Sequence, residues 1–139
     1  MNRIKKYILP VLALVFMSVC TGNAQTETPD KPVAKNVNIS EFIELVSSND
    51  DEQILDVRTP NEWNSGIIAE AHTINWFEST FAQEVEKLDK NKPVLIYCAS
   101  GGRSAKAMAK LQKMGFTEVY NLLGGMNAWK SGGNDVVTK

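Results

Sequence analysis

Hydrophobic positions along this chain change their period repeatedly, and each change marks an element. Residues 7–20 are almost wholly apolar, interrupted by Pro10 and preceded by the cations Arg3, Lys5 and Lys6. That run falls short of the ~20 residues a membrane-spanning helix needs. A basic start, a short apolar centre and small residues behind it describe a secretory signal. Gly22 and Ala24 precede Gln25 at the spacing of a signal cleavage site, so residues 1–24 are expected to be a signal peptide. Export follows from that expectation, the bacterial periplasm being the compartment. Cys20 offers a second processing point, lipidation after cleavage at its own amino group, and with it the one route to membrane contact. Residues 25–36 carry Thr, Pro, Asp and Lys and read as a flexible linker.

From Val37 the period becomes that of alternating helices and strands. Ser40 is placed to cap a short helix burying Phe42, Ile43 and Val46. Residues 53–57 read as a strand with Asp56 and Arg58 at its carboxyl end. Thr59-Pro60-Asn61-Glu62 has the form of a capping box with proline at the first helical position. A strand at 73–75 and an amphipathic helix at 80–89, burying Phe81, Val85 and Leu88, come next. The unbroken apolar run at 94–97 fits a central parallel strand covered on both faces. A helix over 104–114 follows, with Lys106, Lys110 and Lys113 wet and Ala105, Met108 and Ala109 inward, stopped by Gly115. A strand at 118–122, a turn at Gly124-Gly125 and a short helix carrying Trp129 close a domain over 37–131, and 132–139 reads as a frayed tail.

This order predicts an α/β fold, an open, mainly parallel sheet of about five strands with helices on both faces. In such sheets the ligand crevice lies beyond the carboxyl ends of the strands, where Cys98, the Asp56–Arg58 segment and Gly124-Gly125 all fall.

Composition narrows the function. A chain of 139 residues with 43% hydrophobic and 22% charged residues and a net charge of −1 suits one globular domain and excludes disordered and coiled-coil classes. Without a long basic run it is not a nucleic-acid binder. One histidine and two cysteines exclude a zinc-finger or disulfide scaffold. Loss of the leader would leave Cys98 alone, with no partner for an internal disulfide.

Cys98-Ala99-Ser100-Gly101-Gly102-Arg103-Ser104 runs from the end of a buried strand into a helix. Gly101 and Gly102 permit positive φ and leave backbone amides unshielded. Curled around the sulfur, such a loop forms an anion nest, to which the helix amino end and Arg103 add positive charge. A free cysteine with pKa about 8.5 is only about 3% ionised at pH 7. Making it mostly thiolate needs about 2.7 kcal/mol, within reach of a nest and a cation. The expected outcome is a nucleophile that needs no general base, His72 having no evident link to it.

Cys98-x-x-Gly101-x-Arg103-Ser104, together with Leu55-Asp56-Val57-Arg58, Glu62-Trp63 and Gly124-Gly125-Met126-x-x-Trp129, resembles a single-domain rhodanese, a sulfurtransferase, over about residues 37–131. The resemblance implies that Cys98 takes the outer sulfur of a small anionic donor such as thiosulfate as a persulfide. It then hands that sulfur to cyanide or a thiol, a protein thiol included. It implies that the amides of residues 99–104 cradle the sulfur, and that Arg103 binds the donor or braces the loop against Asp56. Arg58 is a second candidate for either role, and no metal or organic cofactor is implied. Asp56 and Arg58 also have a purely structural reading, as a pair tying two loops together.

The chain departs from the family pattern where Gly-His-Ile-Pro-Gly-Ala is usual. Gly66-Ile67-Ile68-Ala69-Glu70-Ala71 stands there, so His72 inherits no role. Alanine at position 99, where thiosulfate-preferring relatives often carry a cation, leaves donor identity open. The competing functions are a cysteine-dependent phosphatase or arsenate reductase, whose loops place five residues between cysteine and arginine against four here, and a non-catalytic rhodanese-like module that binds a partner or carries sulfur.

Overall fold

The computed structural model describes residues 31–48 and 51–138. The signal peptide, Cys20 and the first part of the linker lie outside the described residues. In chain order the elements are β1 Val33–Val37, α1 Ile39–Ser48, β2 Gln53–Asp56, α2 Pro60–Trp63, β3 His72–Thr73, α3 Phe81–Val85, β4 Val94–Tyr97, α4 Gly102–Lys113, β5 Glu118–Leu122 and α5 Gly125–Ser131. Among the described residues the strands form one five-stranded sheet in the order β1-β5-β4-β2-β3, and every pairing is parallel.

Strand parity divides the core into two layers, because successive side chains of a strand point to opposite faces. Val94, Ile96 and Cys98 pack with Leu55, Val57, Phe81, Val85, Ala107 and Leu111 under α3 and α4. Leu95 and Tyr97 pack with Ile54, Phe42, Met126 and Trp129 under α1 and α5. β4 is buried along its whole length, as its unbroken apolar run requires.

Several elements differ from the sequence expectation. The linker was expected to run to Asn36, but Val33–Val37 is a strand, paired residue for residue with β5 from Val33–Glu118 to Val37–Leu122. An edge strand exposes one side to water and tolerates Lys35 and Asn36, so its composition looks like that of a linker. Asn38, not Ser40, caps α1. Its Oδ1 accepts the Glu41 amide at 3.0 Å, and Glu41 Oε2 accepts the Asn38 amide at 3.2 Å. α4 begins at Gly102, two residues early, and turns Ser104, Ala107 and Leu111 fully inward; Met108 is half-buried and Ala109 is exposed.

The segment after Ser131 is not frayed. The Trp129 Nε1–H donates to the Asp135 carbonyl at 2.8 Å, and Ile67 and Val137 exchange both backbone hydrogen bonds at 2.9 Å as an antiparallel bridge. The short stretch gave no periodic signal because its backbone bridge is made with the single residue Ile67, seventy positions away.

Candidate active site

Cys98 leaves the end of β4 and the chain immediately curls back over it. Gly101 caps α4 at φ 99°, a left-handed conformation that other residues enter at a cost of roughly 1–2 kcal/mol. Gly102 does not use positive φ, and a Cβ there would meet open space. The Gly101 amide donates to Cys98 Sγ at 3.0 Å, and the Ser104 hydroxyl does so at 3.4 Å. Cys98 lies on the floor of this loop, 1% exposed as a residue. Burial pushes the Cys98 thiol up. The Ser104 hydroxyl and the amides of Ser104, Ser100 and Gly101 outweigh burial and hold the thiol below the ordinary cysteine value. One loop amide, that of Gly101, and the Ser104 hydroxyl thus address the sulfur directly.

The loop is held from below by the turn into α5. The Met126 amide donates to the Cys98 carbonyl at 2.8 Å and the Asn127 amide to the Ala99 carbonyl at 3.0 Å. Gly124-Gly125 is therefore more than a turn: it lets the α5 backbone reach the cysteine loop. Sequence reasoning missed Asn121, which is buried on β5. Its Nδ2 donates to Asn36 Oδ1 at 2.9 Å and to the Gly101 carbonyl at 3.4 Å, tying the edge strand to the loop. An asparagine beside Leu122 at the carboxyl end of the strand, where the neighbouring strand β4 is wholly apolar, was the available signal.

Arg103 does not reach Asp56. It forms a two-bond fork with Glu62, Nη1 to Oε2 at 2.8 Å and Nη2 to Oε1 at 2.6 Å, and its guanidinium lies 5.7 Å over the exposed ring of Phe77. Glu62 raises the Arg103 guanidinium most, against burial, with Cys98 a lesser partner. In turn Arg103 holds the Glu62 carboxyl down to about 2; burial opposes this, and the Thr59 amide and hydroxyl add to it. The capping box read from Thr59-Pro60-Asn61-Glu62 is thus real, and its carboxylate also serves the site.

Asp56 pairs with Arg58 instead. Arg58 Nε donates to both Asp56 oxygens at 3.0 Å and Nη2 to Oδ2 at 2.7 Å, with both side chains buried. Two further guanidinium protons go to the carbonyls of Glu62 at 3.2 Å and Gly66 at 2.7 Å. Burial works against the Arg58 charge, and Asp56 more than restores it. Asp56 is in register with Tyr97 and so shares the face opposite to Cys98. The pair holds α2 and the Gly66 turn in place, in keeping with the structural reading rather than substrate contact. Burial, and then Asp56, pushes the Tyr97 hydroxyl up; that hydroxyl accepts the Ile68 amide at 3.0 Å.

The departures from the family pattern have structural consequences. Ile67 is buried, and Glu70, in the place of the usual glycine, takes φ 63°. His72 is exposed on the edge strand β3.

The fold is a parallel α/β sheet with a hydrogen-bonded cysteine loop at the carboxyl end of its central strand. The chain belongs to the rhodanese-like domain family, whose model matches residues 38–132. It is 37% identical over 97 residues to the thiosulfate sulfurtransferase GlpE of Coxiella burnetii, covering 70% of this chain and 88% of that protein. It is 42% identical over 77 residues to the uncharacterized protein YqhL of Bacillus subtilis, covering 55% of this chain and 60% of that relative, less than two thirds of its length. Among solved structures, a rhodanese-like domain protein from Staphylococcus aureus superposes with a TM-score of 0.65 at 32% identity, covering 76% of this chain and 98% of that one.

Proposed function

We propose that this protein is a sulfurtransferase that moves a sulfane sulfur from a donor such as thiosulfate to a thiophilic acceptor, cyanide or a thiol, through a Cys98 persulfide. The observation that carries this reading is the Gly101 amide and the Ser104 hydroxyl converging on Cys98 Sγ. Similarity to relatives such as the thiosulfate sulfurtransferase of Coxiella burnetii supports it.

In the first step the Cys98 thiolate attacks the outer sulfur of the donor. The donor S–S bond breaks, and sulfite departs with the electron pair when the donor is thiosulfate. Cys98 then carries the persulfide. In the second step the acceptor attacks the outer persulfide sulfur and the Cys98 thiolate leaves, stabilised by the same amides that favoured its attack. Both steps start or end with negative charge on Cys98 Sγ, so donors aimed at that atom help both. The basic start and short apolar stretch ahead of the domain support export as the setting for this chemistry.

Treatment with thiosulfate or mercaptopyruvate is expected to add one sulfur, about 32 Da, to Cys98 by mass spectrometry. Cys98→Ser is expected to abolish transfer with the fold retained. Turnover in Cys98→Ser would defeat the mechanism, and the absence of an adduct with every sulfane donor would favour a binding module instead.

A further inference from the structure

Both arginines of the site are paired before any donor arrives. Arg58 is spent on Asp56, and Arg103 is gripped by Glu62 through two bonds. The Glu62 carboxylate is itself fixed, since its Oε2 also accepts the Thr59 amide at 2.9 Å and the Thr59 hydroxyl at 2.8 Å. Phe77, 66% exposed, lies 5.7 Å beneath the guanidinium. Arg103 is therefore held on three sides, with its charge paired to a carboxylate. A donor entering the loop meets backbone dipoles, a neutralised cation and a fixed carboxylate.

That electrostatic balance suits some donors better than others. Thiosulfate brings two negative charges, and its sulfonate end would compete with Glu62 for Arg103 or face Glu62 unshielded. A thiol-borne persulfide brings at most one, carried on the sulfur that the amides already address.

The geometry points to Glu62 as the residue that sets donor specificity, keeping Arg103 paired to a carboxylate so that the site takes its sulfur from a thiol-borne persulfide in preference to a dianion. The step balances without a further reagent. The Cys98 thiolate forms a bond to the terminal sulfur of R–S–SH, the S–S bond of the donor breaks, and R–S⁻ leaves with the electron pair. The terminal sulfur keeps its proton as Cys98–S–SH.

This inference rests on the sulfurtransferase reading, and the experiment separates the two. The ratio of kcat/KM for thiosulfate to kcat/KM for hydroxyethyl persulfide is measured on the full chain by the rate of Cys98 persulfide formation. In Glu62→Gln, Arg103 regains its charge towards the donor, and the ratio is expected to rise about tenfold, less at high salt. In Arg103→Gln the bare Glu62 carboxylate is left at the mouth, and the ratio is expected to fall. The double variant has no net charge there and is expected to return to within about twofold of the wild-type ratio. Equal losses with both donors, leaving the ratio unmoved in both single variants, would overturn the assignment and make Glu62 a helix cap only. Persulfide formation from neither donor in the wild type would overturn the transferase reading and this inference with it.

Discussion

Gly125 lies so close beneath Cys98 that a Cβ on it would run into the cysteine's own carbonyl oxygen and the Ala99 backbone. Its φ of 52° adds a conformational demand to the steric one. Both follow from the hydrogen bonds that Met126 and Asn127 send up to the cysteine loop. Gly125→Ala is expected to cost more than about 2 kcal/mol in denaturant unfolding and to slow persulfide formation in the fraction that folds. A variant with unchanged stability and rate would mean that the loop does not depend on this brace.

The pH dependence of Cys98 reactivity should follow its hydrogen-bond donors more than its nearest cation. The Ser104 hydroxyl and the loop amides hold the thiol down, while Arg103 is occupied by Glu62. Iodoacetamide alkylation is expected to rise through a midpoint below that of an ordinary cysteine. Ser104→Ala removes a donor to the thiolate and so should move the midpoint to higher pH, lowering the rate on the acid side and sparing the alkaline plateau. Arg103→Ala should move it less. The opposite ranking would assign the thiolate to the guanidinium.

Arg58 distributes its protons among Asp56 and the carbonyls of Glu62 and Gly66 while buried. Lysine keeps the charge but not the planar fork, leaving Asp56 and two carbonyls poorly satisfied. Arg58→Lys is expected to lose about 3 kcal/mol of stability, measured by urea titration. An intact fold with transfer selectively abolished would restore a direct role with substrate.

Glu70 is exposed and sits at φ 63°, the one non-glycine residue in the left-handed region among the described residues. Glu70→Gly should relieve the backbone cost, partly offset by the greater freedom of glycine in the unfolded chain. The net expectation is a gain of about 0.5–1 kcal/mol, seen as a higher Tm.

How much of this was readable beforehand depends on the range of the interaction concerned. Val94-Leu95-Ile96-Tyr97 announced a central strand because burial on both faces leaves no room for polar alternation, and β4 is that strand. Thr59 and Glu62 announced a capping box because its two partners are three residues apart. Gly115 announced the end of a helix for the same local reason, and it has φ 92°. By contrast β1 was hidden, since an edge strand of mixed polarity is defined by its partner β5, about eighty residues away. The terminal segment was hidden likewise, its bonds running to Ile67 and back to Trp129.

The linear chain determined the chemistry at its centre. A cysteine after an apolar strand, glycines beside it and a helix behind it already dictate amides aimed at a sulfur, because all of these groups lie within seven consecutive residues. Partner choice among the charged side chains was decided by tertiary structure. The Asp56–Arg58 pair, two residues apart, was one of the readings the sequence left open, but nothing local told Arg103 to take Glu62, because that outcome depends on which sheet face each side chain leaves from and on where α2 lies relative to the loop. Charges act over distances that only the assembled sheet defines, whereas the donors that face the sulfur come from its own loop.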